Sequence, residues 1–223
     1  MARRPQPNPL RHRWDVTPAE AREIQSALRS RVSQKNGPEL RRIRYVTGVD
    51  CSLRDNLATA AIPILDWKTL EVVESVVVQQ PIPFPYVPGL LSFRECPAIL
   101  AAFEKLTIDP DLVMVDGAGI AHPRRLGIAA HLGILLNKPT IGCAKSRLTG
   151  THDEPHERAG SYTDLWDKQE LIGAVLRTRD NVNPLFISVG HKIDLPTALD
   201  LVLEACRGYR LPEPTRRAHQ LAA

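Results

Sequence analysis

The sequence predicts an α/β fold: a mixed central sheet, with three antiparallel strands followed by parallel strands, flanked by helices. Three strand-like segments with short connections occupy residues 44–79, and helical and strand-like segments alternate from there to about residue 207. Short connections favour antiparallel pairing, whereas alternating helices and strands are typical of parallel strands covered by helices. A length of 223 residues, of which 43% are hydrophobic, suits one domain with a sizeable core.

The chain begins with a basic, proline- and arginine-rich segment, residues 1–16, which we separate from a single domain at residues 17–223. Thr17–Glu20 has the spacing of a capping box, with proline at the first helical position, and predicts a helix to about residue 33. Asn36-Gly37-Pro38 interrupts the chain after that helix. The three predicted strands then span residues 44–52, 57–66 and 70–79.

A proline-rich stretch, residues 80–89, cannot pair in the middle of a sheet, so we expect a loop there and then a helix to about residue 106. Residues 151–168 are expected to form an insert loop. The remaining predicted elements are strands at residues 111–115, 140–144, 171–177 and 185–189 and helices at residues 125–136 and 195–207. This order of elements matches ribonuclease H-like folds.

Charge and cysteine content narrow the functional classes. The formal net charge is +4, too small an excess to identify an anionic partner on its own. Basic pairs such as Arg124-Arg125 suit the backbone of a polyanion, although a solvated surface explains them equally well. The four cysteines are widely spaced without a CxxC pair, which argues against a disulfide framework or a zinc knuckle. No segment resembles a signal peptide or a membrane span, so we expect a cytoplasmic protein with no membrane partner.

Two aspartates end predicted strands. Asp50 follows Val49 in the first strand, and Asp116 follows the apolar run that ends at Val115. A carboxylate at the carboxyl end of such a strand points into the crevice where α/β sheets bind ligands. If the two strands are neighbours, about 4.8 Å apart, both carboxylates face one small volume, and their repulsion favours a bound cation such as Mg²⁺. The alternative for each aspartate is that it only caps the following turn.

Glu95 is the third candidate carboxylate. Ser92 and Glu95 have capping-box spacing, so a purely structural role is one interpretation of Glu95. With Ser92 as the cap, Pro97 would fall in the second helical turn, where its missing N–H and its ring disrupt a helix. Proline prefers the first helical position, which moves the predicted helix start to about Cys96 and leaves Glu95 just outside it as a free carboxylate.

The stretches around these carboxylates resemble the endonuclease V family. The similarity runs from about Trp14 to His219, and so many long matching stretches in one order make it very specific. The matching stretches are Gly48–Asp50, Pro85–Glu95, Val115–Gly117, Gly119–Gly127, Pro139–Gly142, Ala144–Leu148 and Leu211–Arg216.

The resemblance implies a DNA repair endonuclease that recognises deoxyinosine and hydrolyses the second phosphodiester bond on its 3′ side, leaving a 3′-hydroxyl and a 5′-phosphate. Mg²⁺ would be the cofactor, with Mn²⁺ as a substitute. Carried over by position, Asp50 and Asp116 hold the metal, and Glu95 helps to position the metal or its water. Lys145 would contact the phosphate near the cut, and His219 would orient water.

Tyr86 resembles the wedge of the family. A ring held between Pro85 and Pro88 can fill the gap that an extruded base leaves in a duplex. The resemblance also implies a lesion pocket lined mostly by backbone, and His122 matches a histidine near that site. The implied pocket positions are Gly89, Leu91, Gly117, Ile128 and Gly142. Further contacts with DNA are expected at Pro88, Arg124, Arg125 and Ser146.

Two positions depart from the family pattern. Ala118 stands where a larger polar residue such as His or Gln is frequent, and Val189 stands where Pro is common. Neither departure removes an implied ligand. The expected partner is inosine-containing DNA, double- or single-stranded, bound by a monomer. Two alternatives stay open: a ribonuclease acting on inosine in RNA, and a catalytically inactive lesion-binding module, against which the intact carboxylates and Lys145 argue.

Overall fold

One mixed eight-stranded sheet runs through the computed structural model, which describes residues 12–223 and confirms the predicted fold class. The strands are β1 (Tyr45–Arg54), β2 (Leu57–Asp66), β3 (Val72–Pro81), β4 (Leu112–Val115), β5 (Thr140–Ala144), β6 (Tyr162–Asp167), β7 (Glu170–Leu176) and β8 (Leu185–His191). The α-helices are α1 (Pro18–Leu28), α2 (Leu91–Phe103), α3 (Ile128–Leu136), α4 (Leu195–Glu204) and α5 (Glu213–Ala222).

The strand order is β3-β2-β1-β4-β5-β8-β7-β6. The first three strands pair antiparallel, as their short connections predicted, and β4 is parallel to both β1 and β5. The strands β8, β7 and β6 extend the sheet with antiparallel pairs, which the sequence did not indicate. Because β1, β4 and β5 are parallel, their carboxyl ends meet at one edge of the sheet.

The alternation of side chains along β4 shows how the core is divided. Val113 and Val115 belong to an apolar cluster that includes residues of α2 and α3, whereas Leu112 and Met114 belong to a cluster that includes residues of α4. Successive side chains of a strand point to opposite faces. The helices therefore cover both faces of the sheet, as an α/β fold requires.

Several element boundaries differ from the prediction. The capping box between Thr17 and Glu20 is present, but α1 ends at Leu28 and is followed by a short 3-10 turn. The predicted insert loop at residues 151–168 contains β6, which pairs with β7. Pro81 ends β3 instead of starting the loop, a position that proline tolerates because β3 lies at the edge of the sheet.

Most of the predicted N-terminal segment, residues 1–11, lies outside the described residues. Within the described part, Nε2 of His12 lies 2.8 Å from Nε2 of His131, and the Trp14 ring packs edge-on against Phe93. The domain boundary at residue 17 stays a prediction.

No helix in residues 12–223 is both long and apolar enough to cross a membrane. All four cysteines are free thiols.

Candidate active site

Asp50 and Asp116 lie side by side because β1 and β4 are parallel neighbours. The register pairs Val49 with Val115, and the Asp116 N–H donates to the Val49 carbonyl at 3.0 Å. The predicted metal site depended on adjacency of these two strands, and that adjacency is confirmed. Both aspartates are half-buried, and an oxygen of one carboxylate lies within 4.8 Å of an oxygen of the other in the crevice at this edge of the sheet.

Two basic side chains reach these carboxylates. Nζ of Lys145, the first residue after β5, lies 2.5 Å from Asp116 Oδ2, and Nδ1 of His219 lies 2.7 Å from Asp50 Oδ2. Because the Asp50 carboxylate accepts that bond, Nδ1 carries the proton, and the 3.5 Å approach of Lys145 Nζ to the same nitrogen is only a contact. One ligand atom each from Asp50, Asp116 and His219 lie within 4.8 Å of one another, a grouping that can hold a metal ion.

His219 reaches the crevice because α5 packs closely on β1. A Cβ at Gly48 would overlap the Pro214 carbonyl, so glycine is required for this approach. The sequence did not predict α5, since its buried face consists largely of small or polar side chains such as Thr215 and Ala218 rather than a periodic apolar stripe. The presence of Gly48 two residues before Asp50 was the available signal that another backbone comes close.

Glu95 lies inside α2, which begins at Leu91 and not at about Cys96 as predicted. Pro97 therefore stands in the helix interior, where it removes one backbone hydrogen bond. The turn before it is held by burial of Phe93 and Cys96, neither of which is exposed at all. Tertiary packing has thus overridden the local preference of proline, and the predicted helix start is wrong.

Glu95 is nevertheless not a capping residue, because no side chain caps the start of α2. Burial raises the pKa of Glu95 to about 8, and the charges of Asp50 and Asp116 add to the shift. Burial likewise raises the pKa of Asp116, although the hydrogen bond from Lys145 opposes this. These crowded oxygen donors fit a hard divalent cation such as Mg²⁺ or Mn²⁺, whose charge would offset their repulsion. We call Asp50, Glu95, Asp116, Lys145 and His219 the catalytic edge.

The loop between β3 and α2 presents Tyr86 at the surface. The Tyr86 side chain is 75% exposed, while Phe84, two residues earlier, is buried and anchors the loop. Arg94 Nη1 donates to the Phe84 carbonyl at 3.0 Å, and the guanidinium carbon lies 5.8 Å from the Tyr86 ring centroid. Sequence reasoning assigned Arg94 no role, although it stands in a matching stretch. Its contacts connect α2 to the loop that carries Tyr86.

The base of the same loop is fixed at Gly89, whose φ of +77° favours glycine. The Gly89 carbonyl accepts hydrogen bonds from Gln25 Nε2 at 3.0 Å, His122 Nε2 at 3.0 Å and Arg124 Nη2 at 2.8 Å. His122 Nδ1 accepts from the Arg124 N–H at 3.1 Å, so the proton of this neutral ring is on Nε2. Burial lowers the pKa of His122 to about 4. We call Gly89 and the three side chains that donate to its carbonyl, those of Gln25, His122 and Arg124, the Gly89 latch.

The predicted basic pair Arg124-Arg125 is engaged inside the protein. Arg124 serves the Gly89 latch and also donates from Nε to Gln25 Oε1 at 2.5 Å. Arg125 forms ion pairs with Asp167 at 2.8 Å and with Glu170 at 2.7 Å, which attach it to the β6–β7 turn. Neither side chain is an open surface cation, and phosphate contacts from either would require these bonds to be exchanged.

The predicted pocket glycines meet directly beside Asp116. A Cβ on Gly117 would come within 2.5 Å of Ile128 Cγ2, and a Cβ on Gly142 would come within 2.6 Å of the Gly117 carbonyl oxygen. Close packing against Ile128 and against the backbone therefore requires glycine at both positions. Of the other predicted contacts, Leu91, Pro88 and Ser146 are exposed.

Comparison with known proteins agrees with this geometry. The family model for endonuclease V matches residues 26–220. An endonuclease V of Dehalococcoides mccartyi is 52% identical, over 95% of this chain and 95% of its own. The crystal structure of endonuclease V from Streptomyces avermitilis is 43% identical and superposes with a TM-score of 0.88, covering 94% of this chain and 92% of that one.

A further solved structure is the endonuclease V of Ciona intestinalis in complex with a DNA 23-mer that contains an inosine followed by a ribo-adenosine. It is 27% identical, with a TM-score of 0.79, and the match covers 93% of this chain and 97% of that one. The family model spans most of the chain, and the bacterial relatives cover almost all of it at high identity. With one carboxylate inside β1, where its pairing with β4 ends, and another directly after β4, this chain belongs to the endonuclease V family of nucleases.

Proposed function

We propose that this protein is a DNA repair endonuclease that recognises deoxyinosine and, with Mg²⁺ as cofactor, hydrolyses the second phosphodiester bond on the 3′ side of the lesion. The products are a 3′-hydroxyl and a 5′-phosphate. The observation that carries the proposal is the catalytic edge: two half-buried aspartates on adjacent parallel strands, a third carboxyl group facing them, and a lysine and a histidine in contact.

Asp50 and Asp116 would hold the metal ion, with Glu95 behind them and His219 within the same ligand distance. A bound divalent ion supplies Lewis-acid polarisation of the phosphate and neutralises developing charge. Lys145 is bonded to Asp116 and only partly exposed, so its ammonium can turn to a phosphate oxygen over a short distance. In His219 the proton is on Nδ1, which donates it to Asp50. Nε2 therefore carries no proton and is suited to accept one from water.

Lesion recognition in this proposal uses the tip and the base of the loop at residues 82–90. The exposed ring of Tyr86 would fill the space of an extruded base, the Gly89 latch would hold the loop base, and backbone groups at Gly117 and Gly142 would contribute to the lesion pocket. The relative from Ciona intestinalis supports the choice of ligand, since its complex contains inosine in DNA.

The decisive experiment is a nicking assay on matched oligonucleotides with either inosine or adenine at one position. Mg²⁺, Mn²⁺ and EDTA are compared, and the substrates are a DNA duplex, single-stranded DNA, DNA with one ribonucleotide after the inosine, and RNA. We expect cleavage of inosine DNA in Mg²⁺ and none in EDTA. Cleavage of inosine RNA alone would establish the ribonuclease alternative. Binding without cleavage under every metal condition would establish an inactive lesion-binding module.

We further propose that the protein acts as a monomer, which light scattering of the free protein and of its DNA complex tests. A cytoplasmic location stays a prediction.

Contacts with DNA phosphates should weaken binding as the salt concentration rises. The logarithm of the binding constant should fall against the logarithm of the salt concentration with a slope near −0.9 per phosphate neutralised. Because Arg124 and Arg125 are engaged internally, we expect most of that slope to come from other cations, including Lys145.

A further inference from the structure

Arg210, in the connection between α4 and α5, reaches the backbone of the catalytic edge. Its Nη2 donates to the Lys145 carbonyl at 2.7 Å and to the Pro184 carbonyl at 2.9 Å. Its own carbonyl accepts from Thr178 Oγ1 at 2.6 Å, which fixes the backbone from which the side chain extends. One guanidinium therefore joins the end of β5, the start of β8 and the segment that leads into α5.

The charge of Arg210 also faces the site. Burial lowers the pKa of Arg210, and the negative charge of Asp116 opposes that shift, so the two groups interact. Nε of Arg210 is buried without a hydrogen-bond partner among the described residues. An unpaired buried donor costs free energy, so the two bonds from Nη2 hold the guanidinium in place although Nε is left without a partner. Its position fits a requirement at Lys145 and Asp116.

We propose that Arg210 is a positioning residue for the nicking reaction: it holds the Lys145 backbone so that the Lys145 ammonium stays beside Asp116. The inference rests on the proposed function for its consequence on rate. Lys145 is the first residue after β5 and lies beyond the β5–β8 pairing, which ends at Ala144 and Phe186. The bond from Arg210 extends the support of this strand by one residue, to the point where the side chain must be placed.

A purely structural tether would have a different signature. Loss of a tether lowers stability and affects every property that depends on the fold. Loss of a positioning bond lowers kcat and leaves KM and lesion binding nearly unchanged, because Lys145 acts on the phosphate that reacts. Arg207 offers a matched control three residues away, since its exposed side chain donates to the nearby carbonyls of Glu204 and Cys206 and to no other group of residues 12–223.

The test compares wild type, Arg210→Ala, Arg210→Lys and Arg207→Ala on the inosine duplex. For Arg210→Ala we expect kcat to fall by about 10- to 100-fold with KM within about twofold, as for loss of one charge-assisted hydrogen bond. Added guanidinium ion should restore part of the kcat of Arg210→Ala, and Arg210→Lys should lie between the two. Arg207→Ala should match wild type. An unchanged kcat, or a fall in kcat that tracks a lower melting temperature and resists guanidinium, would overturn the proposal.

Crystal structures of wild type and Arg210→Ala give a readout that does not need activity. Displacement of Lys145 Nζ from Asp116 in the variant supports the positioning role, and an unmoved Lys145 overturns it. If wild type itself fails to nick inosine DNA, the proposed function fails, while the structural comparison still decides whether Arg210 positions Lys145.

Discussion

The catalytic edge and the Gly89 latch both bury titratable side chains, but they treat charge in opposite ways. At the catalytic edge, burial raises the pKa of Glu95, and the like charges of Asp50 and Asp116 raise it further. At the latch, His122 is neutral, donates to Gly89 and accepts from the backbone of the next turn. One region concentrates repulsion in a crevice, and the other pairs its polar groups with one another.

The difference indicates which region a bound ligand would stabilise. Crowded carboxyl groups lower the stability of the metal-free protein, and a divalent cation would remove that cost. Paired polar groups stabilise the fold without any ligand. Substitutions at the catalytic edge should therefore affect activity far more than stability, whereas substitutions in the latch should affect stability and loop position first.

The largest effect is expected from Asp50→Asn and Asp116→Asn. Each removes a carboxylate from the proposed metal site, and metal ions supply several kcal/mol of transition-state stabilisation, so nicking should fall by about three orders of magnitude or more. The melting temperature in EDTA should stay unchanged or rise, because repulsion with Glu95 is relieved. Nicking rates and thermal unfolding in EDTA measure both quantities.

Asp164→Asn, on the exposed face of β6, serves as the matched control and should change neither quantity. Inosine-DNA binding should also survive in both catalytic-edge variants. Near-normal nicking by either variant in Mg²⁺ would remove that aspartate from the metal site. A strong loss of stability in EDTA would contradict the contrast between the two regions.

Tyr86→Ala tests the exposed tip of the loop whose base the latch holds. Extrusion of a base costs a few kcal/mol, and a stacked aromatic ring contributes about 1–3 kcal/mol. Binding to an inosine duplex should weaken by about 10- to 100-fold. Tyr86→Phe should retain most binding, because the ring face fills the gap. The loss should be smaller on single-stranded DNA, where less pairing is broken.

Titration of DNA binding by fluorescence anisotropy measures these losses, with Tyr162→Ala as a control at another exposed tyrosine. Equal losses on single and double strands would make Tyr86 a general stacking platform. Unchanged binding on both would leave it a surface residue, and the loop would then present something other than a wedge.

Arg124→Met separates the latch from a phosphate contact. Loss of the bonds to Gly89 and Gln25 should destabilise the fold by about 1–3 kcal/mol and weaken lesion binding by about tenfold. The slope of log binding constant against log salt should not change. A phosphate contact would instead reduce that slope by about 0.9 with little effect on stability. Arg22→Met, on the exposed side of α1, is the control for charge alone.

Local patterns in the sequence were enough to bring Asp50 and Asp116 together, although Asp50 lies within β1, where its pairing with β4 ends, and not at the end of the strand as predicted. They failed for the start of α2, because the preference of Pro97 for a helix start was outweighed by burial of the preceding turn. They gave no role to Gln25, a polar residue on a surface helix whose partners, Gly89 and Leu126, are distant in the sequence. The rest of the site depends on such long-range contacts, which no local period encodes.

The two regions should also respond to pH in opposite directions. Burial lowers the pKa of His122 to about 4 and that of the buried His131 to about 3, both below the usual 6.5. The unfolded chain then binds more protons than the folded chain below pH 6.5, and stability is lost as pH falls from there toward 4. The pKa of Glu95 is raised from 4.5 to about 8. The folded chain therefore holds the extra proton between these values, and stability is lost as pH rises through that window.

Thermal unfolding in EDTA between pH 4 and 9 should accordingly show highest stability near pH 6, with an alkaline limb from Glu95 and an acidic limb from His122 together with His131, which lies outside the latch. Glu95→Gln should flatten the alkaline limb by a few degrees and leave the acidic limb intact, whereas His122→Gln should lower stability near neutral pH and flatten the acidic limb. Mg²⁺ should raise the melting temperature of wild type most at the alkaline end, where Glu95 is charged, and should do so less in Glu95→Gln. If Glu95→Gln kept the wild-type profile in EDTA, the repulsion assigned to the catalytic edge would not be present. If Mg²⁺ shifted both limbs equally, the cation would not bind where those carboxylates meet.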